Sequence, residues 1–309
     1  MILAVAPTPS VDRSIIVHGF RLGAIHRPGQ VLAVAGGKGL NVARTIKRLG
    51  GQVQACALLA GFSGRWIEDQ LRQEGIPVLI VWGEGETRTS TSIIDPKTGR
   101  LTEVYEYGDP VSPAAWQAFE QAFTQALPSV DWATLSGRLP VGAPADGYAR
   151  LLAELNKRLI PAVLDASGEA LRLGLAASPR VVKVNASEAA EILDVEVITP
   201  QQAARAGEAL RSKGAAVVVI TLGSRGAVAV GEEGCWFGVA PVIQALAPVG
   251  SGDAFLGGFV LAYSSGRLLP EALRAGIAAG AANALTLGQA VFDPADVQRF
   301  ESAIQVGSI

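Results

Sequence analysis

The chain has 309 residues, of which 49% are hydrophobic and 17% are charged, and its formal net charge is −2. This composition predicts a folded chain with a sizeable core and argues against disorder. The length suits one large α/β domain with a small addition. The near balance of acidic and basic side chains argues against electrostatic capture of nucleic acid.

The two cysteines and the apolar segments predict an ordinary intracellular protein. Cys56 and Cys235 lie far apart and neither belongs to a metal-binding pair, so we expect two buried thiols in a reducing, cytoplasmic compartment. The segment from Met1 to Ala6 is too short for a signal peptide and predicts a buried strand. The uncharged run from Ala275 to Phe292 is rich in Ala and Gly and predicts a helix buried in protein rather than in a membrane.

Short apolar runs alternate with helical patterns along most of the chain. Such alternation predicts a doubly wound, mostly parallel sheet with helices on both faces. The predicted strands are Ile2–Val5, Val53–Leu59, Val78–Val81, Ala162–Leu164, Val181–Val184 and Val217–Thr221. The predicted helices are Leu40–Leu49, Arg65–Glu74, Ala114–Ala126, Tyr148–Lys157 and Gln201–Lys213.

Two regions interrupt this alternation. Val11–Val17 and Gln30–Ala35 are predicted strands with no helix between them, and Thr89–Asp95 and Leu101–Tyr107 are a second pair joined by a turn sequence. We expect a single α/β domain over residues 1–309 that carries a small β-sheet lid, inserted in two pieces at about residues 11–35 and 87–108.

The strongest local signal for chemistry is the segment Gly250-Ser251-Gly252-Asp253, which opens an apolar helical pattern at about Ala254. Free amides in the first turn of a helix attract anions, and glycines let them approach a ligand closely. A carboxylate beside such a site can take a proton from an attacking hydroxyl while the amides hold a phosphoryl group. From the local sequence, Asp253 can equally be a helix cap.

Two common nucleotide motifs are excluded. A dinucleotide fingerprint needs a third glycine where Phe255 stands, which argues against a dinucleotide-dependent oxidoreductase. A Walker A loop needs Ser or Thr after its lysine, whereas Lys38 is followed by Gly39.

The segment Gly36-Gly37-Lys38-Gly39-Leu40-Asn41 is a second glycine-rich entry to a helix. Lys38 supplies a mobile charge and Asn41 a fixed amide, a combination suited to a phosphate or to sugar hydroxyls. The alternative is a purely structural role, a tight turn with a solvated lysine.

Two further strand ends carry polar residues. Asn185 and Glu188 can hold water around Mg²⁺, or they can form a capping box at a helix start. The glycine-rich turn from Thr221 through Gly223 to Gly226 is a weak signal by itself.

Taken in order, these segments resemble the ribokinase-like (PfkB) carbohydrate kinase family, and within it the branch of 1-phosphofructokinases and tagatose-6-phosphate kinases. The similarity spans nearly the whole chain. It is carried by Pro9-Ser10-Val11-Asp12, Gly36 to Arg44, Thr87-Arg88, Ser136-Gly137-Arg138-Leu139-Pro140, Asn185 to Glu188 and Gly250 to Asp253.

The resemblance implies a role for each matching residue. Asp253 would be the catalytic base, and the amides of Gly250, Ser251 and Gly252 would form an anion hole. Asp12, Gly37 and Asn41 would bind sugar hydroxyls, while Lys38 and Arg88 would contact a phosphate already on the substrate. Asn185 and Glu188 would organise Mg²⁺ through water, and ATP would be bound by Asn185, Thr221, Gly223, Gly226 and Asn283.

The resemblance also implies a homodimer formed through the lid, with no nucleic-acid or membrane partner. Two positions on the substrate side depart from the usual family pattern, Ser90 and Arg138. The expected activity is ATP-dependent phosphorylation of a ketohexose phosphate. The alternatives are a kinase of an unphosphorylated sugar or nucleoside on the same fold and a non-catalytic sugar or nucleotide sensor.

Overall fold

The computed structural model describes residues 1–309. Strand β1 (Ile2–Ala6) lies in the middle of the main sheet, and all five of its residues are buried. Ile2 and Ala4 point into one apolar cluster, whereas Leu3 and Val5 point into a second cluster on the opposite face. A strand that is apolar on both faces is typical of a parallel sheet covered by helices on both sides.

The main sheet has ten strands. After β1 they are β4 (Val53–Leu59), β5 (Val78–Trp82), β8 (Trp132–Ser136), β9 (Ala162–Asp165), β10 (Val181–Asn185), β11 (Val217–Thr221), β12 (Ala227–Gly231), β13 (Gly234–Gly238) and β14 (Val306–Ser308). Their spatial order is β14-β13-β12-β11-β10-β9-β8-β1-β4-β5. The pairs from β5 to β11 are parallel, and β12 to β14 add an antiparallel edge.

All six strands that the sequence analysis predicted for this sheet are present, and the predicted mostly parallel arrangement is confirmed. Four strands were missed. Strand β8 alternates apolar residues with Thr134 and Ser136, so it lacks the continuous apolar run of its neighbours. Strands β12, β13 and β14 form the antiparallel edge, and β14 is only three residues long.

Ten helices cover the two faces. They are α1 (Lys38–Arg48), α2 (Gly61–Gln73), α3 (Pro113–Ala126), α4 (Gly147–Asn156), α5 (Gly168–Ala176), α6 (Ala186–Leu193), α7 (Pro200–Arg211), α8 (Ser251–Ser264), α9 (Leu269–Ala284) and α10 (Pro294–Ala303). Helices α1, α2, α8, α9 and α10 pack against one face, and α3 to α7 pack against the other.

Helices α8 and α9 approach each other closely because their contact is made of small residues. A side chain at Gly258 would come within 2.8 Å of the Ala275 carbonyl oxygen and of the Ala279 side chain. The expectation of one helix over Ala275–Phe292 is correct only to Ala284, where α9 ends and an irregular segment follows. No helix in the structure combines the length and the apolar character required to cross a membrane.

The small sheet predicted outside the main one is also present. Strands β2 (Ser10–Ile16), β3 (Gln30–Gly36), β6 (Thr89–Asp95) and β7 (Arg100–Tyr105) pair in the order β3-β2-β6-β7. Two antiparallel hairpins, β2–β3 and β6–β7, meet through a parallel β2–β6 pair. We refer to these four strands as the lid.

Candidate active site

The candidate site is a cavity of about 810 Å³ between the lid and the carboxyl ends of the parallel strands. The strand order reverses between β1 and β8, and ligands bind open α/β sheets at such reversals. Asp12 and Arg88 line the lid end of this cavity, Asp253 lines its middle, and Thr221 and Gly223 line the far end. The structure therefore brings predicted site residues from six separate segments to one cavity.

The start of α8 provides two free backbone donors. Gly250 has φ 78°, and a side chain there would come within 2.8 Å of Gln289 Cγ, so only glycine fits without strain. The Gly250 and Gly252 amides donate to no protein group, whereas the Ser251 amide donates to the Pro248 carbonyl oxygen at 3.1 Å. Of the three amides predicted to form an anion hole, two are thus free in this structure, and the third is held in a turn.

Asp253 follows these amides and faces the cavity although only 7% of its surface is exposed. Its side chain caps no helix; instead, Asn41 Nδ2 donates to Asp253 Oδ2 at 2.9 Å. Burial raises the pKa of Asp253 to about 6, and the negative charge of Asp165 adds to this effect, while Lys38 and Lys183 oppose it. A carboxylate with such a pKa is ionised at neutral pH and is basic enough to accept a proton.

A chain of side chains on α1 fixes Asn41. Arg44 is fully buried, and its Nη1 donates to Asn41 Oδ1 at 3.4 Å. Arg44 in turn pairs with Glu74 at 2.7 Å. This support for Asn41, and through it for Asp253, was missed by the sequence analysis, although Arg44 belongs to the motif that it quoted.

Lys38 lies among carboxylates beside Asp253. Its Nζ is 3.1 Å from Asp165 Oδ1 and 3.6 Å from Glu188 Oε1, and the side chain is 35% exposed. Burial alone would lower the pKa of Lys38, but Asp165, Glu188 and Asp253 together raise it, so the ammonium stays charged.

Asp165 joins two lysines under the cavity. It is fully buried at the end of β9, and Lys183 on β10 contacts its second oxygen at 3.3 Å. Burial opposes ionisation of this carboxyl group, yet Lys183 and Lys38 hold its pKa below the ordinary value. The sequence analysis missed both Asp165 and Lys183; their place at the carboxyl ends of adjacent parallel strands is the signal that could have revealed them.

Asp12 reaches the same cavity from lid strand β2. Ser10 Oγ donates to one carboxylate oxygen of Asp12, and the Gly37 amide donates to the other at 3.1 Å. A side chain at Gly36 would overlap Asp12 Oδ2, which explains the glycine there. Burial raises the pKa of Asp12, and these two hydrogen bonds counteract that rise.

Arg88 lies at the lid end and is separate from the carboxylates around Lys38. Its Nη1 donates to Ser90 Oγ at 2.8 Å and to the Glu106 carbonyl oxygen at 3.3 Å. Burial lowers the pKa of Arg88; Asp12 raises it and the neighbouring Arg138 lowers it again. The two cations expected to share one substrate phosphate, Lys38 and Arg88, therefore have different electrostatic neighbours.

Asn185 and Glu188 form a complete capping box at the start of α6. The Asn185 side chain accepts from the Glu188 amide at 2.9 Å, and the Glu188 carboxylate accepts from the Asn185 amide at 2.8 Å. The capping box, which the sequence analysis gave as the alternative to a Mg²⁺ site, is thus present. Glu188 Oε1 still faces Lys38, and Asn185 lines the cavity, so both remain beside the site.

The far end of the cavity combines backbone turns with apolar walls. Thr221, Gly223 and Gly226 line it as expected, together with residues of the 240–249 segment and of α9. Asn283, which is expected to contact ATP, is fully buried and does not line the cavity. Its Nδ2 donates to the Val249 carbonyl oxygen at 2.8 Å, and its Oδ1 accepts from the Ala290 amide at 2.7 Å. Asn283 therefore fixes the segment that leads into α8.

Comparison with known proteins agrees with this architecture. The family model described as pfkB family carbohydrate kinase matches residues 4–295. The chain is 31% identical over 286 residues to the 1-phosphofructokinase of Bacillus subtilis (strain 168), covering 93% of each chain. It is also 31% identical over 288 residues to the tagatose-6-phosphate kinase of Staphylococcus epidermidis, covering 92% of each.

A solved structure of phosphofructokinase-2 from Escherichia coli in complex with substrates and products superposes with a TM-score of 0.92 at 28% identity, covering 98% of both chains. The fold expected from the resemblance is confirmed, and so is the class of enzyme. The chain belongs to the pfkB family of carbohydrate kinases, phosphotransferases that act on sugar hydroxyl groups and use ATP as co-substrate.

Proposed function

We propose that this protein transfers the γ-phosphoryl group of ATP to a hydroxyl group of a ketohexose phosphate. The observation that carries the proposal is that the Asp253 carboxylate and the free amides of Gly250 and Gly252 lie together at the start of α8. The names of the relatives, two 1-phosphofructokinases and a tagatose-6-phosphate kinase, support a phosphorylated ketohexose as the acceptor.

The reaction follows from this arrangement. Asp253 takes the proton of the sugar hydroxyl as the oxygen attacks the γ-phosphorus, and the bond to the leaving ADP oxygen breaks. The two amides stabilise the charge on the transferring group, and the positive end of α8 adds to their effect. Asn41 holds the carboxylate in position throughout.

Lys38 has a role in this proposal that differs from the one expected from the sequence. Its ion pairs with Asp165 and Glu188 keep the ammonium beside Asp253. From there it would stabilise the phosphoryl group in transfer rather than the phosphate already on the sugar. Asp12, Gly37 and Asn41 remain the proposed ligands of the sugar hydroxyls.

The donor set beside Lys38 also suits Mg²⁺ held through water. Asn185 and Glu188 offer amide and carboxylate oxygens, and Mg²⁺ prefers oxygen ligands and retains several waters. Bound there with ATP, the ion would neutralise charge on the phosphate oxygens. Thr221, Gly223 and Gly226 would contact the nucleotide at the far end of the cavity.

We also propose a homodimer formed through the lid. Val31 and Val104 expose apolar surface on the lid strands, and Leu22 and Ile25 do so on the loop between β2 and β3. Large apolar side chains exposed on one small sheet and its loop support an interface there. Sedimentation at several protein concentrations tests this proposal, and a monomer at every concentration would contradict it.

A coupled ADP-release assay with ATP and Mg²⁺ tests the function. The acceptors are fructose 1-phosphate, fructose 6-phosphate, tagatose 6-phosphate, fructose, ribose and adenosine, and the Asp253→Asn variant is the control. We expect rapid turnover with one ketohexose phosphate and almost none in the variant. Turnover only with an unphosphorylated acceptor would favour the alternative sugar or nucleoside kinase.

A further inference from the structure

One glutamine in the wall of the main cavity has a side chain without any partner in the protein. Gln289 lies in the irregular segment after α9, lines the cavity and is only 3% exposed. Its Oε1 is buried and accepts no hydrogen bond, and its Nε2 donates to no protein group. An unpaired buried amide oxygen costs about 1–3 kcal/mol, so its presence in a native protein calls for an explanation.

The stem of Gln289 packs directly on the open start of α8. A side chain added at Gly250 would come within 2.8 Å of Gln289 Cγ and within 2.9 Å of its Cβ. Gly250 supplies one of the two free amides of that helix start. Because Oε1 is the buried atom, Nε2 is the polar atom of Gln289 that the cavity can reach. A side-chain donor therefore lies beside the backbone donors.

The backbone next to Gln289 is held in an unusual conformation. Ala290 is fully buried and has φ 56°, in the left-handed region that residues with a side chain rarely adopt. Its amide donates to Asn283 Oδ1 at 2.7 Å, and Asn283 Nδ2 donates to Ser251 Oγ at 3.1 Å. Asn283 therefore ties this segment to the first residue of α8. Strained backbone of this kind is concentrated at functional sites, where the surroundings hold it in place.

We propose that Gln289 is a further catalytic residue, whose Nε2 donates a hydrogen bond to the phosphoryl group in transfer and completes the anion hole at the start of α8. The inference rests on the proposed function and adds a residue to which the sequence analysis gave no role. The transferring group spreads its charge over three oxygens, all of which are acceptors. The amides of Gly250 and Gly252 are free for them, whereas that of Ser251 is held in a turn. Gln289 supplies the third donor.

The test compares Gln289→Leu and Gln289→Glu with a matched control, Gln54→Leu. Gln54 is half-buried on β4 and lines neither cavity. We expect Gln289→Leu to lower kcat about 10- to 100-fold with little change in either KM, because the donor acts in the transition state. Its melting temperature should be unchanged or higher, since the unpaired oxygen is gone. Gln289→Glu should lower kcat at least as far, because a carboxylate repels the phosphoryl group, and Gln54→Leu should behave as the wild type. Wild-type kcat in Gln289→Leu, or a change confined to the KM of the sugar, overturns the proposal.

A second readout separates this inference from the proposed function. Calorimetric titration with ADP and Mg²⁺, with and without aluminium fluoride, measures binding without turnover, because aluminium fluoride bound beside ADP mimics a phosphoryl group in transfer. Gln289→Leu should bind this mimic about 10- to 100-fold more weakly than the wild type and ADP alone equally well. Equal binding of the mimic, or an equal loss for both ligands, overturns the role of Gln289 even if the wild type proves to be the proposed kinase. If the wild type phosphorylates no acceptor, the proposed function fails and this titration alone decides the role of Gln289; if it does not bind the mimic either, both proposals fail.

Discussion

Helices α6 and α8 both begin at the edge of the same cavity, but their N-termini are completed in opposite ways. At α6, Asn185 and Glu188 satisfy each other's backbone amides in a capping box. At α8, Gly250 provides no side-chain cap, and the amides of Gly250 and Gly252 have no partner in the protein. A helix start that is capped by its own residues contributes to stability, whereas an open one next to a carboxylate is suited to an anion that reacts.

The largest effect is expected at the open helix start. Asp253→Asn preserves the volume and the bond from Asn41 but removes the base, so kcat should fall about 10²- to 10⁴-fold. Steady-state ADP release and circular dichroism measure turnover and fold. A variant that is folded and retains near-wild-type kcat would refute the assignment of the base.

The same substitution has an expected effect on stability. The pKa of Asp253 rises from its ordinary value of 3.8 to about 6, so the folded protein binds its proton more tightly than the unfolded chain does. Folding stability from this group is therefore fully present below pH 3.8 and is lost as the pH rises through about 6. Asp253→Asn should unfold at a higher temperature than the wild type at pH 8, and this difference should shrink at pH 4.

A smaller loss is expected when the charge beside that base is removed. Lys38→Met should lower kcat about 10- to 100-fold, because a preorganised cation no longer faces the transferring group. Lys38 also lowers the pKa of Asp253, so its loss should move the acidic limb of the pH profile of kcat to higher pH. If only KM changes and the limb stays in place, Lys38 contacts the sugar's own phosphate instead.

A substitution at Gly250 can strain the start of α8 without changing any charge. Gly250→Ala should destabilise the fold by about 1–3 kcal/mol, because its φ of 78° and its contact with Gln289 both resist a side chain. Gly266→Ala is the control, since its φ is 88° but nothing lies near its Cβ position. Urea denaturation and ADP release should show that only Gly250→Ala loses activity; equal activity in both variants would contradict the role of the open amides.

Substitutions in the capping box of α6 should give the smallest effects. Glu188→Gln keeps a side chain that can complete the capping box, so stability should hardly change while the apparent affinity for Mg²⁺ weakens. Asn185→Ala should cost about 1 kcal/mol through loss of the cap. Thermal unfolding and Mg²⁺-dependent rates distinguish the two; unchanged Mg²⁺ dependence in both variants would leave α6 with a purely structural role.

The comparison also shows where sequence-based prediction stops. The apolar runs of strands such as β1 and β11 follow from burial on both faces, and sequence alone sufficed to predict them. Whether Asp253 caps its helix could not be decided locally, because the deciding contact comes from Asn41, 212 positions away. The burial of Asn283 could not be predicted for the same reason, because it depends on the irregular segment that packs behind α8 after α9 ends.

Phosphorus NMR of the reaction products tests the central claim most directly. The wild-type protein would be incubated with ATP, Mg²⁺ and each ketohexose phosphate in turn, and with Asp253→Asn as the control. We predict that the γ-phosphate signal of ATP is replaced by that of a second phosphate ester on the sugar, together with ADP, in the wild type only. Release of inorganic phosphate without a sugar bisphosphate, or formation of the bisphosphate by Asp253→Asn at the wild-type rate, would contradict the account.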